Sequence, residues 1–146
     1  MNKKFLFIWV LLMVVLQGVK SQSLEGAWIG YFDEDGVGGK TTYALIFFPT
    51  NDTTYKAYSI TYFKTGKVID TAVCEMNGWM AAKDLLHLEE IMVLKNTGGF
   101  ATGCKQIMEL EYGSKDTKEW LKGKWWSKEI LCGTGRVQLT RNKTNE

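Results

Sequence analysis

Residues 55–64 read YKAYSITYFK, residues 65–66 read TG, and residues 67–76 read KVIDTAVCEM. In the first segment Tyr58, Ile60 and Tyr62 alternate with Ser59 and Thr61. A two-residue period sends alternate side chains to opposite faces of a strand, because successive Cβ atoms point to opposite sides. Thr65-Gly66 supplies a residue with free access to positive φ, which a tight hairpin needs. The stretch therefore predicts two antiparallel strands, Tyr55 to Lys64 and Lys67 to Met76, with the tyrosines sharing one face.

Working outward, turn signals recur at about 8–12-residue spacing, the rhythm of a β-meander. Upstream lie Gly26 to Phe32, ended by Asp33-Glu34-Asp35-Gly36, and Thr41 to Phe48, closed by Pro49 and Asn51-Asp52. Downstream, Asn77-Gly78 reads as a turn, with Trp79 to Lys83 a short irregular or helical piece. Strands are expected at Leu85 to Leu94, Lys105 to Tyr112, Trp120 to Trp126 and Arg136 to Arg141, with a glycine-rich loop at Asn96 to Gly103. No long segment carries a 3.6-residue period. The fold class is all-β: a single eight-stranded antiparallel up-and-down barrel, because closure removes both unpaired edges. Such a barrel is filled by side chains or holds one small ligand. A two-sheet sandwich satisfies the same alternation and stands as the competing architecture.

The N-terminus belongs to another category. Asn2, Lys3 and Lys4 precede an unbroken apolar run from Phe5 to Leu16. That run suits a signal peptide and is short of the ~20 residues of a membrane span. Val19 and Ser21 satisfy the small-residue rule for cleavage after Ser21, with cleavage after Ser23 the near alternative. Residues 1–21 are thus a signal peptide and residues 22–146 a single barrel domain. The protein is expected to be exported, periplasmic or secreted, with no membrane insertion after cleavage. The first cysteine is Cys74, so no lipid-anchoring cysteine stands at the cut.

Removing Lys3, Lys4 and Lys20 from the 18 basic residues leaves 15, against 16 acidic ones. The remaining chain is near neutral and has no basic run, which argues against a nucleic-acid partner. Of the three cysteines, Cys104 and Cys132 each stand next to glycine near a strand end, and they are expected to form a disulfide. Cys74, inside an apolar strand, is expected to be a buried free thiol. No Cys-x-x-Cys redox pair exists.

Gly26-Ala27-Trp28 opens the first strand and Arg141 ends the last. The triplet resembles the Gly-x-Trp signature of the calycins, which comprise lipocalins, fatty-acid-binding proteins and avidins. The resemblance implies that Trp28 closes one end of the barrel and Arg141 packs across its ring, so Gly26, Trp28 and Arg141 would be structural. Residues 121–125 (LKGKW), 132–135 (CGTG) and 139–141 (LTR) are also similar to small exported lipocalin-like proteins of bacteria. That resemblance implies a fold and no particular activity.

Little in the chain builds catalysis. His87 is the only histidine, so neither a His–His metal site nor a rich base network can form. No Gly-x-Ser-x-Gly elbow is present. Residues 98–105 superficially resemble a phosphate loop, but Cys104 stands where its lysine is required. Asp33 to Gly36 resembles the start of a calcium loop, but Ala44 occupies the twelfth position. No cofactor and no metal are expected, and a hydrolase is the last-ranked reading.

Glu89 and Glu90 must face opposite ways on their strand. If Trp28, Leu86, Leu88, Leu121 and Trp125 line the interior, Glu90 points in. A carboxylate there must be paired, protonated or ligand-bound. The leading reading is a non-enzymatic barrel that binds a small apolar or amphipathic molecule, lined by Tyr43, Tyr58 and Trp125 with Glu90 as polar anchor. Its plainer counterpart is a structural pairing of Glu90 with Arg141 or a lysine. The second function class is a filled barrel whose exposed aromatics, Trp120 or Trp126, contact a protein or glycan partner.

Overall fold

A computed structural model describes residues 23–98, 103–129 and 132–142; the expected signal peptide lies outside them. The eight strands are β1 (Gly26–Glu34), β2 (Val37–Pro49), β3 (Thr54–Thr65), β4 (Val68–Ala82), β5 (Leu85–Asn96), β6 (Gln106–Lys115), β7 (Lys118–Ser127) and β8 (Gly135–Asn142). Each pairs antiparallel with the next, and β8 pairs with β1, giving a closed up-and-down barrel. The architecture is compatible with a calycin-like fold. The sandwich alternative falls with the β1–β8 ladder, which joins Ile29 to Thr140 and runs on to Glu34 and Gly135.

The inner face collects the apolar positions: Trp28 and Phe32 of β1, Tyr43, Leu45 and Phe47 of β2, Leu86 and Leu88 of β5, Met108 and Leu110 of β6, Leu121 and Trp125 of β7, and Val137 and Leu139 of β8. Burial of these side chains away from water is the main drive for closing the sheet. Closure also demands sharp coiling at the β8–β1 and β6–β7 pairs. A Cβ at Gly30 would overlap the carbonyl of Gln138, and one at Gly123 would overlap that of Glu109. Glycine at these inner positions lets neighbouring backbones approach as the sheet bends.

Two sequence expectations are corrected. Asn77-Gly78 is not a turn: β4 runs through it to Ala82, and the chain reverses at Lys83-Asp84. Gly78 sits on the inner face, where a Cβ would press on Leu88. The glycine thus serves packing, which overrides its local turn preference. On β3 the alternation holds with its faces exchanged: Tyr55, Ala57, Ser59 and Thr61 are buried, whereas Tyr62 is exposed and Tyr58 is only half-buried. Bulky Tyr43, Phe47 and Met76 already fill the space beside β3, so small residues fit inside and the larger rings turn out.

Candidate functional site

The two barrel ends differ. One end gathers the starts of β1, β3, β5 and β7 with the ends of the other four strands. There the Trp28 indole is fully buried and donates through Nε1 to the Leu24 carbonyl at 2.9 Å. The Arg141 guanidinium lies 4.2 Å from the Trp28 ring centroid. Its Nε donates to Glu119 Oε2 at 2.6 Å, Nη2 donates to the Ser23 carbonyl at 2.5 Å, and Nη1 donates to the Glu25 carbonyl. The Tyr112 hydroxyl donates to Glu119 Oε1 at 2.5 Å, and its ring meets Trp28 edge-on. Gly26, at φ 101°, adopts a backbone conformation that L side chains rarely enter, beside Arg141 Nη1. This end is a plug, fastened by one guanidinium that stacks and donates at once.

Sequence reasoning named Gly26, Trp28 and Arg141 but missed Glu119. A signal existed: Glu119 shares parity with Leu121 and Trp125, so an inward acid was legible at the start of β7. Its partnership with Arg141 also corrects the suggestion that Arg141 pairs with Glu90. The two lie at opposite ends of the barrel.

Near the other end the interior turns polar. Ser59 and Thr61 of β3, Cys74 of β4 and Glu90 of β5 are buried, and the Tyr43 hydroxyl points among them. Tyr43 donates to Gln106 Oε1 at 3.4 Å and touches the sulfur atoms of Met76 and Met108. Glu90 Oε2 accepts the backbone N–H of Gln106 at 3.3 Å. That bond has a structural cause. The β5–β6 ladder stops at Glu89 and Ile107, and the Glu90 side chain takes the first β6 amide beyond it.

Burial dominates the electrostatics here. It pushes the Glu90 carboxyl above its ordinary range, against the Gln106 amide, Cys74 and Lys105, which favour the charged form. Burial pushes the Cys74 thiol up to about 11, helped by the charge of Glu90. The Tyr43 phenol is raised as well, again chiefly by burial. The cluster can therefore present hydroxyl and thiol hydrogen bonds beside a carboxyl group whose charged form burial disfavours.

Of the residues proposed to line a cavity, Tyr43, Glu90 and Trp125 are on the inner face. Trp125 Nε1 donates to the Asp33 carbonyl at 2.7 Å, and its ring meets Phe32 edge-on. Tyr58 does not belong with them. Its ring is on the outer side, against Phe48 and within 5.6 Å of Lys56 Nζ. A disulfide joins Cys104 before β6 to Cys132 before β8, with Cα atoms 5.7 Å apart, across the polar end of the barrel. Cys74 is buried and unbridged.

The outer wall carries a second cluster that the sequence did not assemble. His87 stacks on Trp79 with ring centroids 4.3 Å apart and meets Trp126 edge-on. Its Nε2 is 3.3 Å from Glu89 Oε1, and its Nδ1 is 3.7 Å from Glu109 Oε1. Trp120 also faces outward and lies flat over Gly113, whose missing side chain leaves room for the ring. No family model matches this chain, and no curated protein matches it either.

Proposed function

We propose that the protein is an exported, calycin-like carrier that takes a small amphipathic molecule at the polar end of its barrel. The observation that carries this reading is the convergence of Tyr43, Ser59, Cys74, Glu90 and Gln106 at one end of a largely apolar interior. A core that served stability alone would be better filled with apolar groups, because buried polar groups need partners to offset desolvation. The polar part of a ligand would bond to Glu90 and Tyr43, while Phe32 and Trp125 offer apolar contact. Trp28, Arg141 and Glu119 close the far end and touch no ligand. The Cys104–Cys132 bridge and the expected leader support an oxidising compartment outside the cytoplasm. The proposal includes no catalytic step: His87, the one histidine, is engaged on the outer wall by Glu89 and Glu109.

The deciding experiment is a native mass spectrum of protein purified without reductant from its exporting host. Excess mass that leaves on denaturation, and is absent from Glu90→Leu and Tyr43→Phe proteins, supports the carrier. A bare chain that also fails to enhance the fluorescence of an amphipathic naphthalenesulfonate dye sinks it. One observation favours a second reading, a filled barrel with an outer contact face. Trp28, Tyr43, Phe47, Leu45, Met76 and Leu88 are all fully buried and occupy much of the interior. The Trp79–His87–Trp126 cluster would then meet a protein or glycan partner.

A further inference from the structure

At the end away from Trp28, strands β3, β4 and β5 run on past their last pairs with β2 and β6. The β2–β3 ladder ends at Thr42 and Tyr62, and the β5–β6 ladder ends at Glu89 and Ile107. Beyond these points β4 continues to pair with β3 as far as Thr65 and Val68, and with β5 as far as Ala72 and Asn96. Over these residues the three strands pair only with one another, as a three-stranded finger.

Its surface is unusual for a strand ribbon in water. Val68 is 59% exposed, Ile69 65% and Met92 51%, and Ile91, Val93 and Leu94 are exposed as well. Register places these side chains on both faces. Val93 pairs with Cys74 and shares the face that continues the barrel interior, whereas Met92 pairs with Glu75 on the outer one. Val68 and Ile69 divide in the same way, by parity with Ala72 and Val73. Exposed lysines surround the apolar groups: Lys64, cross-strand from Ile69, Lys67 at the hairpin, and Lys95 on β5. The acid of the β3–β4 hairpin, Asp70, accepts a hydrogen bond from the Thr97 hydroxyl.

We propose that this finger docks the barrel mouth onto an anionic lipid surface. Two features choose lipid over a second protein. A protein interface covers one face of a ribbon, but a fluid acyl boundary can cover both. The three lysines match anionic headgroups while the tips of Val68, Ile69 and Met92 enter the apolar layer beneath them. The inference goes beyond the carrier reading and does not rest on it, since docking needs no occupied interior.

The test is co-sedimentation of protein from the exporting host with two kinds of vesicle, pure phosphatidylcholine and phosphatidylcholine with one third phosphatidylglycerol. Binding is expected on the anionic vesicles, weakening as salt is raised. Lys64→Glu with Lys67→Glu should lower the affinity at least about tenfold. Ile69→Asp with Met92→Asp should abolish it. All four positions are exposed, and an unchanged melting temperature in both variants confirms that each still folds. Equal affinity for neutral vesicles, or wild-type binding by both variants, overturns the proposal. So does a dimer in sedimentation velocity that the Ile69 and Met92 changes dissociate, because a second copy would then be what covers the finger.

Discussion

Arg141 holds its guanidinium 4.2 Å from the centre of the Trp28 ring, although 113 residues separate the two in sequence. The contact fastens the last strand to the first. The same guanidinium satisfies Glu119, which is buried and shares its other oxygen with Tyr112. Removing Arg141 leaves that carboxylate without its cation. Arg141→Ala is therefore expected to destabilise the fold by about 2–4 kcal/mol, measured by denaturant unfolding. Arg141→Lys should recover only part of the loss, because an ammonium cannot stack and fork at once. Full recovery by lysine would show that charge alone fastens the plug.

The Cys104–Cys132 bridge closes a loop of 28 residues in the unfolded chain. The loop-entropy relation gives it about 3–4 kcal/mol of stabilisation. Urea unfolding of the oxidised protein and of Cys104→Ser/Cys132→Ser should differ by that amount. A difference near zero would mean that the rest of the barrel holds these two loops without the bond.

Glu90 gives the protein a pH dependence whose sign is fixed by its environment. Burial raises the folded-state value above the ordinary carboxyl one, so the folded protein holds this proton more tightly than the unfolded chain does. The stability from this group is fully present below the ordinary carboxyl pKa. It is lost as pH rises through the raised folded value. Glu90→Gln keeps an acceptor for the Gln106 amide and cannot ionise. Its melting temperature should exceed that of wild type at neutral pH, and the two should converge as the solution is made more acidic than about pH 4. A gap independent of pH would count against ionisation as the cause.

The inward position of Glu90 was readable because Leu86 and Leu88 fix the parity of β5 two and four residues earlier. The plug was readable in part, through the resemblance of Gly26-Ala27-Trp28 and Arg141 to the calycin pattern. Alternation on β3 was equally clear, but a two-residue period separates two faces without saying which one is inside. Tyr58 was placed wrongly for that reason: volume decided, and Tyr43 with Met76 had taken the space. Asn77-Gly78 misled for a different reason, because the cross-strand Leu88 that needs the empty inner position is distant in sequence. The three-stranded finger was invisible as well. Strand lengths depend on where neighbouring ladders stop, which no single strand records.

Cys74 separates a passive buried thiol from a reactive one. Its pKa is pushed up to about 11, first by burial and then by the neighbouring charge of Glu90. At pH 8 the thiolate fraction is then on the order of 0.1%, and the group is also shielded from reagents. Folded protein with the Cys104–Cys132 bridge intact should react with an aromatic disulfide reagent far more slowly than a free thiol does, and release one equivalent rapidly once unfolded in guanidinium. Glu90→Gln removes the charge while leaving the burial, so native reactivity should rise only slightly in that variant. A fast native reaction would show that reagent enters the barrel mouth, and with it that the polar cluster is open to small molecules from solution.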